Sequence, residues 1–326
     1  IKVVSWNLMG LERIAVEART SAALDHLRER FGESPSHLII MFQEVTSRVI
    51  RAIMDHPWAQ RHFILSNIEG PVSRFHDTPG SDSFVLREID WQAGHYCTLI
   101  LVSRALPILD CFRVPLTTRM ARDVLVVDIW SDSAQSNSQH DVLRLCTTHL
   151  ESLYDKPGMY RPGQLARISD ILKGVPGVPG SGRVIGGLVG GDMNSIEKEE
   201  HEYHRAPEIV LNDVWEDIPP PSPPVLKPFK KDLTYGRDRG NTWGYQSKGP
   251  RGRKRLDKFF YTGSLLTVPV AEAQDTVGRL GRMGVGLKTE ADVWELDLWV
   301  SDHFAITVGI KVRAPHVEQG ALGSSP

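Results

Sequence analysis

Apolar runs rich in β-branched residues recur along the chain at 1–4, 38–42, 63–68, 96–102, 108–114, 124–130, 142–147, 183–189, 258–261 and 304–312. Each is short and bounded by polar residues or glycine, the pattern of β-strands. A second pattern, apolar residues three and four positions apart, occupies 11–31, where Leu24, Leu27 and Phe31 share one face. It recurs over 48–58 and 163–172, and Pro162 suits the first turn of the last of these helices. Strands and helices alternate at the start of the chain, whereas the middle strands follow one another directly. That mixture predicts an α/β fold of two packed mixed β-sheets flanked by helices, in place of one doubly wound parallel sheet. No internal repeat is visible.

The stretch 219–231, with Pro219-Pro220-Pro221 and Pro223-Pro224, predicts a stiff polyproline-like connection. We expect it to loop out of one domain, because polar motifs at strand ends continue on both sides of it. The predicted organisation is one domain over 1–312, with Pro-rich and basic loop insertions at about 219–255, and a disordered tail over 313–326.

Five segments at strand ends carry the chemistry: Ser5-Trp6-Asn7, Gln43-Glu44-Val45, Thr148-His149-Leu150-Glu151-Ser152, Gly190-Gly191-Asp192-Met193-Asn194 and Ser301-Asp302-His303-Phe304. Oxygen ligands for a hard divalent cation and imidazoles for a phosphate are the tools of metal-assisted phosphodiester hydrolysis. Asp192 could orient and deprotonate a water, and Asn194 could hold a water or a phosphate oxygen. The glycines before them would let backbone approach a ligand. A carboxylate at the end of the buried run 38–42 is costly unless paired or metal-bound, so Glu44 alone could anchor Mg²⁺. Asp302 could orient an imidazolium on His303, and His149 is a second donor to phosphate. Taken singly, each motif also reads as something ordinary: a turn, a capped loop, a salt-bridged strand end, a structural histidine, a core tryptophan.

Composition narrows the setting. The chain has 326 residues, 41% hydrophobic and 24% charged, which suits one large or two small globular domains. Cys97, Cys111 and Cys146 lie in apolar runs without metal-ligand spacing, so a disulfide framework is not expected and a reducing compartment is favoured. No window reaches the length of a membrane span, no signal-peptide pattern opens the chain, and no membrane partner is expected. Because Ile1 already lies in a strand pattern, a natural N-terminal region is expected to precede it. A net charge of −2 gives no global attraction to nucleic acid, which leaves that to local patches.

The joint order of Asn7, Glu44, the His149 motif, Asp192-Met193-Asn194 and Ser301-Asp302-His303 resembles the endonuclease/exonuclease/phosphatase superfamily over essentially 1–312. The resemblance implies a four-layered α/β sandwich with Mg²⁺ at the sheet ends, Mn²⁺ being able to substitute. Within the superfamily the chain is most similar to the 5′ tyrosyl-DNA phosphodiesterase branch. The features behind this are Tyr96 after Gly94-His95, Met120-Ala121-Arg122, the His-Leu-Glu-Ser form at 149–152, Val214-Trp215, Thr242-Trp243 and the run 255–260.

Carried over, Glu44 would bind Mg²⁺ and Asp192 would position the water beside Asn194. Asn7, His149 and His303 would contact the scissile phosphate, with Asp302 orienting His303. Tyr96 and Arg122 would support the substrate, and Trp243 would wall the path of the DNA end. The implied substrate is a DNA 5′ end, single-stranded or frayed, joined to a tyrosine of a topoisomerase II peptide adduct. A monomer is expected, in the nucleus with the cytoplasm also open. Many relatives have Asp at the position of Met9, so position 9 is left out of the metal site.

The residues independently suit that substrate class. A phenolate leaving group, of pKa about 10, needs less acid assistance than a sugar alkoxide. The basic run 248–255 is expected to track DNA phosphates, or to be a solvated loop or a nuclear-localisation-like stretch, and Trp243, Tyr235 and Tyr245 could stack on unpaired bases or equally be buried. Competing expectations are an abasic endonuclease, a 3′ exonuclease or deadenylase, a lipid phosphodiesterase, or an inactive DNA-end-binding module.

Overall fold

Neighbouring residues of the first strand serve different cores. On β1 (Lys2–Asn7), Val3 faces a core between two sheets, and Val4 faces a core covered by helices. On β2 (Leu38–Val45), Ile39 and Met41 point to the inter-sheet core, and Ile40 and Phe42 to the helical side. Successive strand side chains alternate between faces, so a continuous apolar run marks a strand buried on both. The computed structural model describes residues 1–66, 72–76, 84–88, 96–131, 140–152, 160–197, 199–217, 240–245, 253–277, 279–289 and 298–313.

The first sheet also contains β3 (Phe63–Leu65), β6 (Cys97–Ser103), β13 (Leu265–Val268), β14 (Asp275–Val277), β15 (Leu280–Met283) and β16 (Ala305–Val312). Its order is β14-β15-β16-β1-β2-β6-β3, with β13 paired to β16. The second sheet holds β7 (Ile108–Pro115), β8 (Asp123–Trp130), β9 (Asp141–His149), β10 (Arg183–Asp192), β11 (Asn212–Asp213) and β12 (Asp257–Gly263), in the order β11-β12-β10-β9-β8-β7. A separate hairpin pairs β4 (Val72–His76) with β5 (Phe84–Glu88). Helices α1 (Val16–Phe31), α2 (Ser47–Asp55) and α3 (Pro57–His62) cover the first sheet through Leu24, Leu27, Ile53 and Trp58. Helix α4 (Arg161–Lys173) covers the second through Leu165, Ile168 and Leu172. The result is the expected sandwich of two mixed sheets between helical layers.

Among the described residues each of the two large sheets contains one parallel pair. β1 runs parallel to β2, with α1 between them in sequence, and β9 runs parallel to β10, with α4 between them. Ligand sites of α/β folds form outside the carboxyl ends of such strands. Here Asn7 lies opposite Gln43 in one sheet, and His149 lies opposite Asp192 in the other. Two antiparallel strands start at the same edge: Asp257 of β12 pairs with Asp192, and β16, antiparallel to β1, begins just after His303. The Gln43 amide ties the sheets together beneath this edge, donating to Ser5 Oγ at 3.0 Å and to Thr147 Oγ1 at 2.9 Å.

The structure departs from the sequence pattern where tertiary contacts overrule it. Helix α1 begins at Val16 and not at residue 11, because the buried Arg19 guanidinium takes the carbonyls of Leu8, Met9, Glu12 and Ile14 and holds 8–14 as a loop. The expected helix 48–58 is two, broken at His56 with Pro57 opening the second. Among the described residues six strands beyond those expected are short, such as Asn212–Asp213, and owe their extension to pairing more than to pattern. Gly190 and Gly191 make room for neighbouring protein and not for a ligand. A Cβ on Gly191 would lie 2.0 Å from the Thr148 carbonyl oxygen, and one on Gly190 would lie 2.4 Å from the Phe259 ring. All three cysteines are free thiols. Among the described residues no helix is long and apolar enough to cross a membrane. The Pro-rich loop 219–231, Gly94, His95, Tyr235, 248–252 and the tail from 314 onward lie outside the described residues.

Candidate active site

The strand ends converge on one carboxylate. Asp192, 2% exposed, receives the Asn194 backbone N–H on Oδ1 at 2.9 Å, which fixes the plane of the carboxyl group. Its Oδ2 accepts from the Asn7 amide at 3.1 Å and lies 3.5 Å from His149 Nε2 and 3.7 Å from His303 Nε2. The last two separations are too long for good hydrogen bonds, which leaves both imidazoles able to take a substrate oxygen. Burial raises Asp192 above the usual carboxylate range, partly opposed by His303. The Asn7 side chain is itself oriented: its Oδ1 accepts from Met9 N at 2.9 Å, which turns the amide nitrogen toward Asp192 and toward Glu44 Oε1 at 3.2 Å. Asn194 stands in a left-handed conformation, φ 47°, and its amide nitrogen is committed to the Leu150 carbonyl at 2.9 Å. It therefore braces the ends of β9 and β10, and its amide oxygen and second N–H are left to face a ligand.

His303 corrects the sequence reading. Its orienting partner is Asp257, at 2.7 Å from Nδ1, and not the adjacent Asp302, whose nearest approach is 3.9 Å from Nε2. Asp302 instead accepts from Trp243 Nε1 at 3.1 Å. Thr242 fixes Asp257 by donating its hydroxyl to Oδ2, and Asp257 N–H returns a bond to that hydroxyl at 3.2 Å. Behind the ring, Trp6 is fully buried core, and it also donates to the His303 carbonyl at 3.0 Å. Burial pulls the His303 pKa down, but the carboxylates of Asp257, Asp302 and Asp192 outweigh it and hold the value well above the ordinary 6.5. His149 goes the opposite way: burial, then Arg122 and His303, push it well below 6.5. The site thus pairs a cationic imidazole with a neutral one. In the sequence Asp257 lies within the run 255–260 that supports the resemblance, where it carries no assigned role of its own.

Arg122 and Tyr96 form one wall. The guanidinium lies 5.0 Å over the Tyr96 ring, and Nη2 reaches Ser152 Oγ at 3.3 Å and His149 Nε2 at 3.5 Å. Arg122 is 4% exposed, and among the described residues it makes no ion pair. A buried guanidinium without a carboxylate is costly unless an anion meets it. On the opposite side, Trp243 is fixed by Asp302 and by bridges to Lys254 and His303.

The described end of the basic run, 253–255, is less available than its sequence suggests. Arg255 is buried in an ion pair with Asp213 at 2.7 Å, Lys254 donates to the Ile196 carbonyl at 3.2 Å, and the Arg253 guanidinium stacks 4.5 Å over Tyr245. Tyr245 in turn packs on Phe304 with ring centroids 4.6 Å apart.

Glu44 fits a hard cation. It sits in a left-handed conformation, φ 55°, at the irregular end of β2, and among the described residues its carboxylate has no ion-pair partner and one long amide contact, from Asn7. Burial raises its pKa, with His303 and Asn7 opposing. An oxygen ligand of this kind, kept from protons by a divalent ion, suits Mg²⁺-type chemistry. Asp192, Asp257 and His303 also bring ligand atoms within 4.8 Å of one another, but the hydrogen bond at Nδ1 commits Asp257 to His303.

The model of the Endonuclease/Exonuclease/phosphatase family matches residues 4–303. No curated protein matches the sequence. Among solved structures, a humanised D. rerio TDP2 carrying 14 mutations is similar at a TM-score of 0.60 and 17% identity, over 96% of this chain and 99% of that one. C. elegans TDP2 is similar at 0.57 and 18%, over 94% of this chain and 74% of that one. A Bacteroides thetaiotaomicron mannosyl-6-phosphatase is similar at 0.56 and 13%, over 95% and 99%. At these identities what is shared is the fold.

Proposed function

The chain belongs to the endonuclease/exonuclease/phosphatase family, and from that premise we propose that it is a Mg²⁺-dependent 5′-tyrosyl-DNA phosphodiesterase. The family's hydrolases are divalent-metal-dependent, and the site holds residues suited to such an ion. The observation that carries the reading is the convergence of Asn7, His149 and His303 on Asp192 Oδ2, with Arg122, which makes no ion pair among the described residues, beside them. That arrangement offers an aimed base, donors to phosphoryl oxygens and no covalent nucleophile. When bound, a divalent cation held by Glu44 with Asn7 beside it supplies positive charge against the charge developing on the phosphate.

The chain's own residues do the rest. Asp192, its plane fixed by Asn194 N–H, accepts a proton from a water aimed at phosphorus. His303, kept cationic by Asp257, donates through Nε2 to a non-bridging oxygen. Neutral His149 and Arg122 contact the same phosphate, and Arg122 stacked on Tyr96 adds a permanent charge on the side where the DNA 5′ phosphate would lie. The bond from the water oxygen to phosphorus forms as the bond from phosphorus to the tyrosyl oxygen breaks. The products are a DNA 5′-phosphate and a tyrosine phenolate, a leaving group of pKa about 10 that departs without a strong acid. The branch within the family rests on the Tyr96–Arg122 wall, the His149-Leu150-Glu151-Ser152 form and the likeness to TDP2 folds. On this reading the physiological adduct is a topoisomerase II peptide on a frayed DNA end, met in the nucleus by a monomer.

A substrate panel tests this. With Mg²⁺, kcat/KM on a 5′-phosphotyrosyl oligonucleotide is expected to exceed that on abasic DNA, poly(A), a phosphoinositide and a sugar phosphate. A preference for any of the others would keep the family and refute the branch.

A further inference from the structure

Glu151 occupies the middle of the motif that supplies His149 and Ser152, and its carboxylate is bound to a different segment. It is 5% exposed and grips the connection between β7 and β8 at two successive residues. Oε2 accepts the Thr118 hydroxyl at 2.5 Å, and Oε1 accepts Arg119 N–H at 3.0 Å. The Thr118 oxygen, its proton committed to Glu151, accepts in turn from Met120 N at 2.9 Å and from Arg122 N at 3.2 Å. A hydroxyl has one proton and two acceptor sites, and all three are used. This bracket closes a turn in which Ala121 takes a left-handed conformation, φ 58°, and Leu116 N donates to the Arg122 carbonyl at 3.1 Å. Glu151 is itself anchored, its N–H on Gln164 Oε1 at 3.0 Å and its carbonyl on Arg161 Nη1 at 3.0 Å.

We infer that Glu151 is a positioning residue for Arg122: through Thr118 it sets the turn that aims the guanidinium at the phosphate side of the site. The inference rests on the reading of Arg122 as an anion contact. Two effects of Glu151 oppose each other in sign. As a buried negative charge near the site, it weakens anion binding, so its removal by charge alone would strengthen it. As the anchor of the turn, its removal lets Arg122 drift and weakens binding.

The test is isothermal titration of inorganic phosphate, with Mg²⁺ present, into the full chain and into Glu151→Ala, Thr118→Val, Thr118→Ser, Arg122→Ala and the double variant Glu151→Ala/Arg122→Ala. Thermal melts report folding. Glu151→Ala and Thr118→Val are expected to weaken phosphate binding about tenfold. Thr118→Ser, which keeps the hydroxyl, should bind like wild type, and the double variant should bind no worse than Arg122→Ala alone. Tighter binding by Glu151→Ala, or losses that add in the double variant, would overturn the inference. So would wild-type affinity in a folded Thr118→Val protein, or a wild type that binds no phosphate. Phosphate binding that follows the expected pattern in a wild type inactive on phosphotyrosyl DNA would instead refute the proposed function and leave the positioning role intact.

Discussion

Removing Asp257 probes the least expected contact in the site. Its carboxylate lies 2.7 Å from His303 Nδ1, fully buried and fixed by Thr242. Centres of charge in such a pair are about 4 Å apart, and at an effective dielectric of about 20 the attraction is about 4 kcal/mol. Asp257→Asn keeps the size of the side chain and deletes that term from the imidazolium needed in the transition state. About 4 kcal/mol is about a thousandfold in the protonation equilibrium of His303, so kcat should fall by up to about a thousandfold at pH values where the wild type holds the cation and the variant does not. The pH profile adds a sign. The His303 pKa stands well above 6.5 in the folded chain, because three carboxylates outweigh its burial. The cation on His303 is therefore fully present at low and neutral pH and is lost as pH rises through the raised value, and the alkaline limb of activity follows that loss. The same linkage makes its stabilising contribution complete below about 6.5 and lost on passing the folded value. Asp257→Asn should move the alkaline limb of the profile to lower pH. The assay is hydrolysis of the p-nitrophenyl ester of thymidine 5′-phosphate from pH 5 to about 10, alongside the NMR titration of His303 in both proteins. A variant with wild-type kcat and an unmoved alkaline limb would refute the assignment of Asp257.

Four further outcomes are expected. Mg²⁺ should raise the melting temperature of the wild type but not of Glu44→Gln, since only a ligand bound to the native state stabilises it; equal rises would place the cation elsewhere. Burial raises both Glu44 and Asp192, so activity should fall on the acid side above the usual carboxylate range, and more Mg²⁺ should shift that limb to lower pH; an acid limb insensitive to Mg²⁺ would separate the ion from both carboxylates. Trp243→Phe removes the indole donor to Asp302 at 3.1 Å, and a severalfold rise in KM with kcat nearly unchanged is expected, whereas a collapse of kcat would make Asp302 part of the chemistry. Away from the site, Arg144 and Asp128 form a fully buried bidentate pair, and Arg144→Ala should cost about 3–5 kcal/mol in urea unfolding because it leaves a buried charge alone; a cost under about 1 kcal/mol would mean the site is open to water.

The layers of the fold were legible because both faces of its long strands are buried. Runs such as 38–42 and 183–189 are continuous enough to announce this, and helix signals such as Pro162 survive in the structure. The short strands were not legible, since Asn212–Asp213 or Asp275–Val277 carry no period and extend only because a neighbour offers hydrogen bonds. The site was legible where chemistry and chain position coincide. Asn7, Glu44, His149 and Asp192 end four strands, and the two parallel pairs bring those ends together. Asp302 illustrates the opposite case: adjacency to His303 in sequence gave it a role that the ring geometry assigns to Asp257, 46 positions away. Arg255 looked like a DNA contact because it sits in a basic run, but its ion pair with Asp213 could not be read from that run.

The most direct test of the central claim is release of tyrosine from a single-stranded oligonucleotide bearing a 5′-phosphotyrosine, with Mg²⁺, with EDTA and against a 3′-phosphotyrosyl control. Rapid, EDTA-sensitive release confined to the 5′ linkage, abolished by Asp192→Asn, is the predicted result. A folded, Mg²⁺-supplied protein that leaves the 5′ linkage intact, or cuts the 3′ linkage as fast, would contradict it.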